Sequence, residues 1–251
     1  MSFRINRQDL MLGRSMPSTR PGIVVLGAPR SGTTLLANVV GAHPRVAMMF
    51  EELHGGAFRV VGGKIPAVKL CTPNQVDLDR RWGPMNRVIG LSGWLRKNVG
   101  YRMPTSRLSL RDMMGAADLR ILCLIRDPAR ALDAIRRRER LSDAVSHDIL
   151  TRTYQLFNAL HAEPRARCQV VSLDRLLRAP EPQIRKLCAW LGLEFDAAML
   201  DAPQYNHLYP EAGFRSDRAA GAPDGGAADP ASRRKLALLQ PSYDALLARA
   251  A

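Results

Sequence analysis

Apolar positions along the chain alternate between short continuous runs and stretches of helical spacing. GIVVLG (22–27) is apolar, β-branched and closed by glycine, which predicts a buried strand. Residues 31–43 follow with Leu35, Leu36, Val39 and Val40 on one helical stripe. RVAMMF (45–50) predicts a second strand running into Glu51, whereas Gly and Pro punctuate residues 53–75 and leave them without an assignable element. The polar, basic stretch 76–117 predicts two or three helices. LRILCLI (119–125) predicts a buried strand, and the Arg126-Asp127-Pro128 that follows suits a helix start, because proline fits the first helical turn. Further helices are predicted over 128–141, 143–162 and 181–193, the last with a Gly stop, and another strand over 168–173.

Strands alternating with helices predict an α/β fold of three layers, a central and mainly parallel sheet flanked by helices. Residues 1–20 read as a polar, flexible leader and 21–251 as a single domain. Within it, 202–230 form a loop rich in Gly, Ala, Pro and Asp, and 231–249 a C-terminal helix that Pro241 bends or splits. No internal repeat is present.

The net charge of +14 over 251 residues favours an anionic partner, or reflects an Arg-rich background. Aromatic residues are 6% and do not interleave with the basic runs, so no nucleic-acid partner is expected. No apolar run is long enough to span a membrane, and the first residues lack the apolar core of a signal peptide, so the expected location is cytoplasmic. The four cysteines, Cys71, Cys123, Cys168 and Cys188, show no C-x-x-C pairing and read as buried reduced thiols.

The chemistry concentrates in GAPRSGTT (27–34). It sits between a predicted strand and a helix and nearly matches the P-loop pattern G-x-x-x-x-G-K-[ST]. Gly27, Gly32 and Thr34 fit; Thr33 stands where the lysine belongs. Backbone N–H groups and a helix N-terminus bind an anion without that lysine. What is lost is the cation for a terminal γ-phosphate, which argues against an ordinary ATPase or GTPase. Arg30, Ser31, Thr33 and Thr34 offer one cation and three hydroxyls instead. Strand 119–125 ends in Arg126, so no acidic strand end offers a magnesium site, and no metal ligands are expected.

VVLGAPRSGTTLLANVVGAHPRV resembles the 5′-phosphosulfate loop of sulfotransferases that use 3′-phosphoadenosine 5′-phosphosulfate (PAPS), in wording closer to the tyrosylprotein and bacterial branch. ILCLIRDPARAL (121–132) resembles the family's 3′-phosphate segment, and residues 170–196 are similar to its late strand–helix segment. The resemblance implies that Arg30, Ser31, Gly32, Thr33 and Thr34 hold the 5′-phosphate and sulfonate, and that Arg126 grips the 3′-phosphate. One departure is visible: the family's serine eight residues after that arginine is Ala134 here, with Arg137 and Arg138 placed to compensate.

The acceptor must lose a proton as the new S–O bond forms, which calls for a base within hydrogen-bond reach. With strand 45–50 expected beside strand 22–27, the resemblance implies Glu51 as the base, with Glu52 and His54 as alternatives. It also implies a lysine on the leaving phosphate: Lys69, with Lys64 as the alternative and Lys97 remote. Ser106, Arg107, Arg215 and Arg218 are further contact candidates. The function implied is metal-independent, in-line transfer of a sulfonate from PAPS to a hydroxyl or amine on a small-molecule, glycan or peptide acceptor. The alternatives are a P-loop nucleotide-binding protein or kinase-like transferase, and a PAPS-binding family member without turnover.

Overall fold

The computed structural model describes residues 22–50, 64–79, 108–114, 119–139, 141–201 and 230–250. Five parallel strands form the central sheet: β1 (Gly22–Gly27), β2 (Val46–Phe50), β3 (Ile65–Cys71), β6 (Leu119–Ile125) and β7 (Arg167–Ser172), in the order β2-β3-β1-β6-β7. Two short strands, β4 (Val76–Asp77) and β5 (Leu108–Ser109), pair parallel in a second sheet. The helices are α1 (Thr33–Gly41), α2 (Leu110–Met114), α3 (Pro128–Glu139), α4 (Asp143–Ala162), α5 (Leu173–Arg178), α6 (Pro180–Leu191) and α7 (Pro230–Leu247).

Alternation along the strands produces two apolar faces, since successive side chains point to opposite sides. Ile23, Val25, Leu122 and Leu124 pack against Leu36 and Val40 of α1 and against Ile184 and Leu191 of α6. Val24, Leu26, Ile121 and Cys123 pack on the other side against Ile135 of α3, Phe157 of α4 and Leu246 of α7. Strands covered on both faces read as continuous apolar runs, which is why β1 and β6 were legible without alternation. The expected three-layer α/β architecture is the one observed.

Local signals fix several boundaries. Ser142 caps α4 by accepting from the Val145 N–H at 3.4 Å, and Asp143 follows in the first turn. Pro180 opens α6, and Gly192, at φ 63°, closes it in the left-handed conformation glycine tolerates best. Leu173 opens α5 rather than closing β7, with the Ser172 hydroxyl as its cap.

Two expectations are corrected. Strand β2 is not beside β1; β3 lies between them, with Ala67 opposite Ile23 and Met48. The sequence hides β3 because Pro66 and Lys69 interrupt a seven-residue run. Among the described residues of 76–117, two short strands and one five-residue helix replace the expected longer helices; 80–107 and 115–118 lie outside them. The leader and residues 202–229 also lie outside. Helix α7 continues through Pro241 without a split.

Pro241 is exposed inside α7, where it removes one helical N–H and crowds the carbonyl of the preceding turn. Pro241→Ala should raise the unfolding free energy by about 1–3 kcal/mol in a urea titration. A drop in stability would show that α7 depends on the proline's fixed backbone.

Candidate active site

All five strands of the main sheet run the same way, so their carboxyl ends meet at one pole. From β1 the chain crosses to β2 and β3 on one side; β6 and β7 lie on the other. The crevice between the ends of β1 and β6 is therefore the topological switch point, where open parallel sheets bind ligands. Two loops border it: residues 27–32 after β1, and Arg126-Asp127 after β6.

The first loop folds back over its own start. A Cβ on Gly27 would collide with the Thr33 methyl and lie 2.7 Å from the Ser31 hydroxyl oxygen, so only glycine fits. The Ser31 hydroxyl donates to the Ala28 carbonyl at 2.7 Å, locking the turn. Arg30 has φ 64°, a left-handed conformation that costs an arginine about 1 kcal/mol or more. Gly32, at φ 95°, precedes α1, whose first turn has neither a side-chain cap nor an acidic residue. Leading N–H groups of a helix lack intrahelical partners, and their partial positive charge faces the crevice. Ser31 and Thr33 are buried at 2% and 4% exposure, while Arg30 is exposed on the rim.

The second border is tied to the first. Arg126 donates from Nη1 to the Arg30 carbonyl at 3.0 Å. Burial lowers the pKa of this half-buried guanidinium; Asp174 works against that and Arg130 adds to it. The Arg126 carbonyl accepts from the Tyr154 hydroxyl of α4 at 3.1 Å. Burial pushes the Tyr154 pKa far up, so it remains a donor. Asp127 accepts from the Arg130 N–H at 3.0 Å and so caps α3, while its own N–H donates to Asp174 at 2.9 Å.

Strand β3 supplies the third element. Lys69 is 5% exposed, in register with Val25 of β1 and Phe50 of β2. The parity of Ile65 and Ala67 puts it on the α1 face of the sheet. Just past it, the Thr72 N–H donates to the Gly27 carbonyl at 3.0 Å, joining the β3 turn to the loop. Thr153 of α4 donates its hydroxyl proton to the Ile149 carbonyl, so in the 2.9 Å contact between hydroxyls Thr72 is the donor. Asp77, buried at the end of β4, pairs with Arg152 of α4.

The sequence-predicted residues separate clearly. Arg30, Ser31, Gly32, Thr33, Thr34, Arg126 and Lys69 come together at the carboxyl pole. Lys64 is exposed just before β3, about 23 Å from the strand's carboxyl end at ~3.3 Å per residue, and does not. Glu51, Glu52, His54, Lys97, Ser106, Arg107, Arg215 and Arg218 lie outside the described residues. Glu51 follows Phe50, whose register partner is Lys69. His43 is structural: Nδ1 accepts from the Arg45 N–H and Nε2 donates to the Glu194 carbonyl, both at 3.1 Å. Arg137 pairs with Asp133 on the exposed side of α3. All four cysteines are free, with Cys123 and Cys188 buried and Cys71 and Cys168 only half-buried, against the expectation that all are buried. A cavity of about 430 Å³ lined by Met113, Leu119, Arg165 and Arg167 opens at the opposite pole, by the amino ends of β6 and β7.

Residues 21–61 match a family model described as the sulfotransferase family. The matched segment carries the loop 27–34 and helix α1, so the likeness to that family is to the loop segment. Two sulfotransferase domains of known structure share the fold. The one from the Synechococcus PCC 7002 olefin synthase has a TM-score of 0.58 at 14% identity, covering 97% of this chain and 98% of that one. The one from the curacin biosynthetic pathway has a TM-score of 0.50 at 14% identity, with 88% and 99% covered. No protein of curated function matches the sequence. The match reaches the sulfotransferase family and not a branch within it.

Thr72, Asp127, Arg130, Tyr154 and Asp174 are the site residues that sequence reasoning missed. Only Asp127 had a local signal, an Asp just before a helix-opening proline. The others act across the fold, from positions that read as ordinary helix or turn residues.

Gly32→Ala should destabilise the protein by about 1–2 kcal/mol or more, because alanine at φ 95° is strained and its Cβ would lie 2.7 Å from Leu173. A denaturation midpoint unchanged from wild type would mean that the loop relaxes freely, contrary to this geometry.

Proposed function

We propose that the protein is a sulfotransferase moving a sulfonate from PAPS to a hydroxyl or amine acceptor by in-line displacement without a metal. The observation that carries this reading is the crevice between β1 and β6, with an anion seat on each border. One is the uncapped N-terminus of α1 beneath a hydroxyl-bearing loop. The other is the half-buried Arg126, hydrogen-bonded to a neutral carbonyl. A nucleotide with phosphates at both its 5′ and 3′ positions matches two such seats on opposite sides of one crevice. The sulfotransferase-family match over the loop segment supports the same donor chemistry.

Bound PAPS supplies an activated sulfonate whose S–O bond to the 5′-phosphate breaks as the acceptor attacks sulfur. The chain's own residues do the rest. Backbone N–H groups of Gly32, Thr33 and Thr34 and the Arg30 cation hold the phosphosulfate in line. Glu51 takes the acceptor proton as the new bond forms. Lys69 stabilises the charge that grows on the bridging oxygen of the leaving phosphate; its register with Phe50, the residue before Glu51 in the sequence, supports pairing the two roles. Charge stabilisation falls to cationic side chains and N–H groups. No helix of the described residues is long and apolar enough to cross a membrane.

Calorimetric titration tests the donor class. Adenosine 3′,5′-bisphosphate should bind without Mg²⁺, with ADP at least roughly tenfold weaker, the scale of one charge-assisted contact set. Preference for ATP with Mg²⁺ would overturn the reading in favour of a kinase-like transferase. Glu51→Gln should leave bisphosphate affinity unchanged and lower turnover by roughly 10²-fold or more. Full activity in that variant would transfer the role to Glu52 or His54.

A further inference from the structure

The 3′-phosphate seat lacks one ligand that the sequence resemblance led us to expect, because residue 134 is alanine. Neither Arg137 nor Arg138 is shown filling the gap: Arg137 is 61% exposed and paired with Asp133, and the Arg138 side chain lies outside the described residues. A different arginine is better placed. We infer that Arg130 is the second ligand of the 3′-phosphate, and that Asp174 is the positioning residue that aims it. This rests on the donor reading above.

Four observations carry it. Arg130 and Ala134 are i and i+4 on α3, so they share a face one turn apart. Side chains on a helix lean towards its N-terminus, so a hydroxyl at 134 would hang over the turn of Arg130, and Arg130 itself leans towards Arg126. The Arg126 and Arg130 charges are close enough to influence each other. Arg130 is half-buried, with Nη1 donating to Asp174 Oδ1 at 3.3 Å.

Asp174 does more than neutralise. Its Oδ2 accepts from the Asp127 N–H at 2.9 Å, so one carboxylate holds both the guanidinium of Arg130 and the backbone just after Arg126. Asp127 in turn accepts from the Arg130 N–H. The two carboxylates are thus turned towards the protein; the Arg130 guanidinium is fixed to the backbone turn after Arg126, and the Arg126 guanidinium to the Arg30 carbonyl. A guanidinium has five N–H donors in a planar fork, so a pair with Asp174 leaves it able to bind phosphate at the same time. The ligand chemistry is a phosphomonoester on the 3′-carbon of a ribose.

The test compares two probes that differ only in that group: adenosine 3′,5′-bisphosphate and adenosine 5′-monophosphate. The ratio of their dissociation constants, from calorimetry on the full chain, isolates the 3′-phosphate. Arg130→Ala should cut this ratio by roughly tenfold or more while monophosphate affinity stays within about twofold. Asp174→Asn, whose amide oxygen can still accept from the Asp127 N–H, should lower the ratio by a smaller factor and have little further effect in the Arg130→Ala background. Ala134→Ser in that background should restore part of the loss. Arg137→Ala should leave the ratio unchanged. Arg130→Lys keeps the pair with Asp174 and so the fold; it should still lose severalfold, because an ammonium lacks the planar fork. An unchanged ratio in Arg130→Ala, or in Arg130→Lys should the alanine variant fail to fold, overturns the inference. A wild-type ratio near one overturns the donor reading itself, so the two failures are told apart.

Discussion

The hydrogen bond from Arg126 to the carbonyl of Arg30 is the contact on which the site depends, because it crosses the switch point of the sheet. It joins the two loops that border the crevice and makes one unit of what the topology supplies as two. Each end of the bond is also held from elsewhere. The Arg30 carbonyl belongs to a loop that Gly27 lets fold back on itself and that Gly32 turns into α1. The Arg126 carbonyl is fixed by Tyr154, and its neighbour Asp127 by Asp174. Moving either loop therefore strains contacts on both faces of the sheet. On the proposed function, a donor spanning the crevice would meet two anion seats whose separation is set before it arrives, which would lower the ordering cost of binding.

Helix α4 is the element that makes this rigidity possible. Consecutive residues serve two loops: Thr153 receives the Thr72 hydroxyl after β3, and Tyr154 holds the Arg126 carbonyl after β6. One residue earlier, Arg152 pairs with buried Asp77. The same helix buries Ile149, Leu156, Phe157 and Leu160 against the sheet. At roughly 1.5–3 kcal/mol for each fully buried large apolar side chain, that stripe outweighs the cost of orienting the polar groups beside it. Tyr243 of α7 lies with its ring centroid 6.3 Å from that of Tyr154 and closes this side. Burial, then Asp174 and Asp127, pushes its pKa up to about 12, so both phenols remain neutral donors.

How much of this was legible in the sequence follows from where the information sits. Strands β1 and β6, helix α4 and the loop 27–34 were readable because each is specified locally, by unbroken apolar runs, a cap or a glycine pattern. Strand β3 was not. Pro66 and Lys69 make it look like a loop, and only its neighbours β1 and β2 make a strand of it. Missing β3 put β2 in the wrong place and left Lys64 and Lys69 undecided, although Lys64 precedes the strand and Lys69 lies in its carboxyl half. The partners of Arg126 were invisible for a related reason. Tyr154 and Asp174 are 28 and 48 residues away, on helices whose sequences signal only that they are helices.

The costs in this structure collect at the carboxyl pole. Arg30 takes a left-handed backbone, Lys69 is 5% exposed in a sheet, and Arg126 is a half-buried cation. Left-handed non-glycine backbone costs of order 1–3 kcal/mol, and a buried cation costs more unless its partners are well placed. At the amino ends of the same strands Arg120 of β6 is also half-buried, but among the described residues no non-glycine residue there takes a left-handed backbone, and Lys64 is exposed. Strain that appears at one end of a sheet and not at the other cannot be explained by packing, since packing is alike along β1, which is buried throughout. It is what the proposed anion-binding role of this pole would require: cations held in place before the ligand comes, at the expense of stability that the two apolar faces supply.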